Sequence, residues 1–138
     1  MGVIRVLPED EIEELLRAAV IARLACCSHD GDGRPYLVPL PCFYDGDALY
    51  ALSGPGTKLR MMRANPLVTV EVDTGEGSSR WQSVIADGGF EEVTEPAGRE
   101  HALAVIAAGC GEAPELGAHS VLFRIRLTAK SGRYELPS

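Results

Sequence analysis

Leu67-Val-Thr-Val-Glu-Val-Asp73 is the stretch that decides how this chain is read. Val68, Val70 and Val72 fall on one face of an extended segment and Thr69, Glu71 and Asp73 on the other, the period of two required of a strand with one wet face. The same alternation returns near the C-terminus, where Val121, Phe123, Ile125 and Leu127 alternate with Arg124, Arg126, Thr128 and Lys130. Both segments point to antiparallel sheet.

Upstream of Leu67, Asn65-Pro66 stops a short helix over Lys58–Ala64, because proline disfavours helical geometry in the residue before it. Downstream, Glu76-Gly-Ser-Ser79 is a turn into a long strand, Arg80–Val93, with a bulge or barrel corner expected at Gly88-Gly89. Thr94-Glu-Pro then opens a helix over Ala97–Ala108, closed by Gly109. Gly111–His119 reads as loop. At the other end, Pro8 followed by Glu9, Asp10 and Glu11 starts a helix, with Ile12, Leu15, Leu16 and Ala19 on its buried stripe. Val20–Cys27, Pro35–Tyr44 and Ala48–Leu52, separated by Asp30-Gly-Asp-Gly33 and Asp45-Gly-Asp47, read as a three-strand meander. The sum is a mainly β fold of six or so antiparallel strands with two or three short helices. Curling into a small barrel removes open edges most economically, although alternation alone also allows an open sheet with helices on one face.

The chain has 138 residues, 46% hydrophobic and 24% charged, which suits one domain over residues 1–138. Its formal net charge of −7 gives nucleic acid no general attraction. The apolar run Ala18–Cys27 is broken by Arg23 and falls short of the roughly 20 residues that span a bilayer, and the N-terminus lacks signal-peptide features. A cytoplasmic protein with no membrane partner is expected. The four cysteines, Cys26, Cys27, Cys42 and Cys110, form no C-x-x-C pair and no zinc spacing, so no metal site is expected. Cys26 and Cys27 alternate faces on a strand and serve as small hydrophobes. Glu13-Glu14 and Glu91-Glu92 read as solvated surface. The scattered histidines, at 29, 101 and 119, accompany no nucleophile motif, so no catalytic residue is assigned.

Three segments offer ligand chemistry. Ser53-Gly-Pro-Gly-Thr-Lys58 joins a strand end to a helix start and combines N–H donors, hydroxyls and a cation, as a phosphate requires. Its spacing is not that of a P-loop, and the alternative is an ordinary strand-to-helix turn. Lys58, Arg60 and Arg63 form a local cationic cluster in an acidic chain. Pro39 and Pro41 deprive one edge of their strand of N–H groups, leaving it free for a planar ligand with alternating donors and acceptors, or marking a plain edge strand. Trp81, Ser83 and Ile85 share one face of their strand, so Trp81 walls an aromatic pocket with Ser83 beside it, or belongs to core or interface.

In order, Ala22-Arg-Leu-Ala25, Asp30-Gly, Pro35-Tyr-Leu-Val-Pro-Leu40, Gly56-Thr-Lys58, Arg63-Ala-Asn-Pro-Leu-Val68, Glu71-Val-Asp73 and Trp81-Gln-Ser-Val84 with Gly88 resemble the pyridoxamine 5′-phosphate oxidase-like superfamily of FMN-binding split barrels. The small members related to nitroimidazole-resistance proteins are the most similar, over roughly residues 8–134. The resemblance implies a split β-barrel homodimer with FMN at the subunit interface. It implies that Val38, Pro39 and Leu40 border the isoalloxazine through their backbone, and that Ser53, Gly56, Thr57 and Lys58 hold the phosphate. Trp81 and Ser83 then approach from the partner subunit. The expected function is an oxidoreductase passing hydride or electrons from a reduced nicotinamide to a small acceptor. Ala51-Leu52 stand where the small members often carry a histidine, which sets the chain apart from the nitroreductases. The basic and aromatic residues that hold the vitamin oxidases' substrate phosphate are also missing, so pyridoxine oxidation is not expected. The rival expectations are a deazaflavin- or haem-binding split barrel, a non-catalytic flavin carrier, and a ligand-free dimeric module.

Overall fold

The computed structural model describes residues 2–28, 32–75 and 77–137. Among them the elements run β1 (Val3–Val6), α1 (Glu9–Ala18), β2 (Ile21–Cys26), β3 (Tyr36–Pro41), β4 (Phe43–Tyr44), β5 (Ala48–Ser53), α2 (Thr57–Ala64), β6 (Leu67–Gly75), β7 (Trp81–Glu92), α3 (Pro96–Cys110) and β8 (Val121–Leu136). His29 and parts of the turns expected at Asp30-Gly-Asp-Gly33 and Glu76-Gly-Ser-Ser79 lie outside the described residues.

All strand pairs are antiparallel, in the order β3-β2-β6-β7-β8-β5-β4, with β1 added to β8. Cys42 alone separates β3 from β4, yet these strands are the two ends of that path. Neighbours in sequence can end a path at opposite sides only if the sheet curls until its ends approach, and β3 does contact β5. The result is a split barrel, mainly β, as expected.

The expected three-strand meander is not what forms. β2 pairs with β3 and β4 with β5, but β5 takes β8 rather than β3 as its other neighbour. Pro39 and Pro41 cannot donate to a second ladder, so β3 ends the sheet. The run Pro35–Tyr44 breaks at Cys42, which is buried and whose N–H donates to the Val20 carbonyl at 2.8 Å. The strand count rises from six to eight because two short strands, β1 and β4, add to those expected. β8 also runs past Lys130 to Leu136, and β1 pairs with that extension.

The irregularity expected near Gly88 is present, between Asp87 and Gly88, but the extra residue belongs to β8. Gly88 faces Leu127 and Asp87 faces Ala129, so Thr128 is unpaired. An inserted residue inverts the faces beyond it. Lys130 therefore does not share the side of Arg124 and Arg126, as alternation predicts. It turns toward α1, where Nζ lies 2.7 Å from Glu13 Oε2 and 3.0 Å from the Tyr44 hydroxyl.

The barrel interior is filled by Leu24, Val68, Val70, Val72, Val84, Phe123 and Ile125. Ile12, Leu15 and Leu16 of α1 and Leu59 and Met62 of α2 complete it. A second cluster lies outside the barrel wall, where Ala102 and Ile106 of α3 cover Phe43, Ala48, Tyr50 and Leu122. Gly109 does not end α3. The helix continues to Cys110 and Gly111 caps it at φ 85°, a left-handed conformation that favours glycine. Gly109 serves packing instead, since a Cβ there would lie 2.1 Å from the Phe43 ring. Three of the paired glutamates also hold partners at the surface. Glu91 binds Arg124 and Arg126, Glu92 binds Arg63, and Glu13 binds Lys130 and the Tyr44 hydroxyl. Cys26 is buried and Cys27 exposed, as alternation predicts. No helix among the described residues is long and apolar enough to cross a membrane.

Candidate functional site

The residues singled out from the sequence form two groups. In the first, β3 ends the sheet with one neighbour, β2. Val38 and Leu40 face Leu24 and Ala22 and turn their side chains to the barrel interior, whereas Pro39 faces Arg23 and lies on the outer surface. A proline has no N–H, so the ladder to β2 forms only with Pro39 and Pro41 turned to the free edge. That edge presents main-chain carbonyls with no strand opposite.

The loop from Ser53 to Lys58 follows β5. Ser53 closes its strand opposite Val121, and its hydroxyl donates to the Gly54 carbonyl at 2.8 Å. Gly56 caps α2 in extended backbone with no side-chain cap, so the first N–H groups of the helix, from Thr57 onward, lack intrahelical acceptors. A Cβ at Gly54 or Gly56 would meet no atom within 4 Å, so the loop borders open space at both glycines. Lys58 and Arg60 form no ion pair among the described residues, whereas Arg63 is taken by Glu92. The loop and the β3 edge are joined through the core, where Val38 and Leu40 share a cluster with Leu59 and Met62.

The second group lies on the outer face of β6 and β7. Trp81, Ser83 and Ile85 share that face, as their parity predicts, and pair with Gly75, Asp73 and Glu71. The Trp81 indole Nε1–H donates to Glu135 Oε1 at 3.1 Å, and Glu135 Oε2 accepts the Gly2 N–H at 3.1 Å. A cleft of about 400 Å³ is lined by Glu71, Asp73, Thr74, Trp81, Gln82 and Ser83. The Ser83 hydroxyl donates to Glu71 Oε2 at 3.1 Å. Arg23 Nη1 reaches Asp73 Oδ2 at 3.0 Å and Glu71 Oε1 at 3.7 Å. Burial pushes the Glu71 carboxyl above its ordinary range and the Asp73 carboxylate beside it adds to this, against the pull of Ser83 and Arg23.

Strand parity groups Trp81 with Ser83 but marks Glu71 and Asp73 only as the wet side of a strand. Their position beside Ser83 depends on the β6–β7 register, which local alternation does not carry. Nor do the two groups meet within one chain. Along the row Pro39–Arg23–Glu71–Ile85 they lie three strand spacings apart, about 14 Å.

A curled antiparallel sheet, one free proline-bearing edge and a glycine-rich loop opening a helix define a split-barrel protein. The chain matches the pyridoxamine 5′-phosphate oxidase family over residues 8–134 and belongs to it. The uncharacterized protein RA0666 of Rhizobium meliloti is 35% identical over 98 residues, which are 71% of this chain and 63% of that protein. The matched region thus spans under two thirds of that relative. An FAD-binding protein from Mesorhizobium loti is 40% identical, with 96% of this chain and 98% of that one covered and a TM-score of 0.78. A Bacteroides thetaiotaomicron protein named for 5-nitroimidazole antibiotic resistance shares the fold at 21% identity, with 97% and 89% covered and a TM-score of 0.83.

Proposed function

We propose that this chain is a flavin-binding oxidoreductase acting as a homodimer, with each flavin held between the β3 edge and α2 loop of one subunit and the Trp81 face of the other. The observation that carries the reading is the loop at the start of α2. It combines unpaired N–H groups, a lysine free of carboxylates among the described residues, and two glycines with open space before them. Phosphate binds to such an array because the helix terminus and the ammonium both favour negative charge. Ser53, Gly56, Thr57 and Lys58 hold the phosphate, and the free carbonyl edge at Val38, Pro39 and Leu40 borders the ring.

The separation between the two groups supports a second copy, as do the exposed Ile21, Leu37, Leu67 and Ile85 on the face that carries Trp81. Packing that face against its equivalent removes apolar surface from water and brings Trp81 and Ser83 of one chain to the loop of the other. FMN is the first choice because the loop offers one phosphate cradle. FAD is the second, because the Mesorhizobium loti relative is an FAD-binding protein.

A flavin bound here supplies hydride or electron transfer, and the protein supplies binding, orientation and exclusion of water. No acid or base from the chain is required. A reduced nicotinamide is the donor and a small molecule the acceptor, in the cytoplasm. The test is a visible absorbance scan of the purified protein after loading with FMN or FAD and desalting, followed by reduction with NADH or NADPH. Retained flavin that is reduced and then reoxidised by an acceptor is the expected result. Protein that retains neither flavin overturns the reading. Flavin that binds but does not turn over leaves a carrier, and a Soret band in its place indicates haem.

A further inference from the structure

The cleft beside Trp81 contains a carboxylate that flavin binding, as described so far, does not use. Glu71 lies on β6 between Arg23 of β2 and Ser83 of β7, with Asp73 two residues along its own strand. Its Oε1 is buried and has no hydrogen-bond partner among the described residues, while Oε2 accepts the Ser83 hydroxyl at 3.1 Å. An ionised carboxylate has no proton to give, so the single hydroxyl proton of Ser83 is directed to Glu71. What Ser83 then offers the cleft is a lone pair.

We propose that Glu71 is a positioning residue that fixes the hydrogen-bond polarity of Ser83, so that Ser83 acts as an acceptor and selects an N–H or O–H donor on the ligand beside Trp81. This rests on the flavin reading. A flavin carries such donors at ring N3–H and at the ribityl hydroxyls. Arg23 and Asp73 are the charged groups facing Glu71 from β2 and β6, and β7 contributes Ser83 and the apolar Ile85. Arg23 is anchored on Asp73 and so stands within 3.7 Å of Glu71, which favours its ionised form. When Glu71 is protonated the polarity reverses. Its O–H then donates to Ser83, the serine proton turns to the cleft, and the acceptor is lost.

The experiment is a fluorescence titration of FMN into wild type, Glu71→Gln, Ser83→Ala and the double variant, from mildly acidic to neutral pH, with melting temperatures confirming the fold. At neutral pH each single variant should bind FMN about 3- to 10-fold more weakly, the value of one neutral hydrogen bond, and the double variant no more weakly than either. The phosphate of FMN titrates in every variant, so the difference between wild type and Glu71→Gln is the readout. It should shrink as pH falls and Glu71 is protonated. N3-methyl-FMN separates the two donors. Loss of the Ser83 dependence with this ligand assigns the ring N3–H, and its retention assigns a ribityl hydroxyl. Additive losses in the double variant, or a wild-type pH profile matching that of Glu71→Gln, overturn the role of Glu71 and leave flavin binding intact. Wild-type protein that binds no flavin overturns the proposed function, and this inference with it.

Discussion

The outer surface of this barrel is finished on one side and unfinished on the other. Over β4, β5 and β8 it is covered by α3, where Ala102 and Ile106 bury Ala48, Tyr50 and Leu122. Ion pairs border that cover. Arg124 and Arg126 share Glu91, Arg126 also reaches Asp47 at 2.8 Å, and His101 of α3 meets Asp45 at 2.8 Å. Over β3, β2, β6 and β7 no element lies outside the sheet among the described residues, and Leu37 and Leu67 are 66% and 72% exposed. Apolar residues there alternate with a polar group whose members, Arg23, Glu71, Asp73 and Ser83, satisfy one another only in part. A sheet face that carries such residues without a covering helix is suited to a partner and a ligand rather than to solvent.

The sharpest way to break that contrast is to truncate the same side chain on both sides. Ile106→Ala, at a site 3% exposed, should cost about 2–5 kcal/mol in chemical denaturation, independent of protein concentration. Ile85→Ala, at a site 51% exposed, should cost the isolated chain under about 0.5 kcal/mol. Ile85→Asp should instead move the protein from dimer to monomer in sedimentation, because it places a charge in the proposed interface. Equal, concentration-independent losses from Ile106→Ala and Ile85→Ala would show that the two faces do not differ in kind.

How far this contrast could be read from sequence depends on what is local. The alternation in Leu67–Asp73, the stripe of α1 and the irregularity at Gly88 are properties of short segments, and all three are present. Strand order is not local. β5 could pair with β3 or β8, and only the missing N–H groups of Pro39 and Pro41 hint at which. Simple alternation puts Lys130 on the wrong side because one unpaired residue, Thr128, inverts everything beyond it. At the site, the parity of Trp81 and Ser83 was legible, but the contact between Ser83 and Glu71 spans 12 residues and that between Arg23 and Asp73 spans 50. Such contacts depend on register, which the whole sheet sets.

If the loop at the start of α2 is the phosphate site, removing its charge should cost ligand affinity and leave stability alone. Lys58→Ala removes a charge-assisted contact to the proposed phosphate and should weaken flavin binding by about 1.5–3 kcal/mol, or about 10- to 150-fold. The melting temperature of the flavin-free protein should not change, since Lys58 forms no ion pair among the described residues. A drop in melting temperature with unchanged affinity would make Lys58 part of the scaffold. Titration of FMN with parallel thermal scans separates the two outcomes.

The smallest effect belongs to the finished side, where charges support the fold. Hydrogen bonds from Arg124 and then Arg126 hold the Glu91 carboxyl below its ordinary value of 4.5. A carboxylate with a lowered folded-state value stabilises the protein above its unfolded value, and the contribution disappears as pH falls through the folded one. Unfolding measured from neutral pH to below 4.5 should therefore show wild type losing stability on acidification faster than Glu91→Gln. Glu91 is 43% exposed, so solvent screening limits its share to about 1 kcal/mol or less. Glu71, raised rather than lowered, should behave oppositely. It destabilises the fold at neutral pH and that cost is relieved on acidification, so Glu71→Gln should lose stability on acidification faster than wild type does. Opposite signs for two glutamates on one sheet would locate stability on the side that α3 covers and function on the side it leaves open.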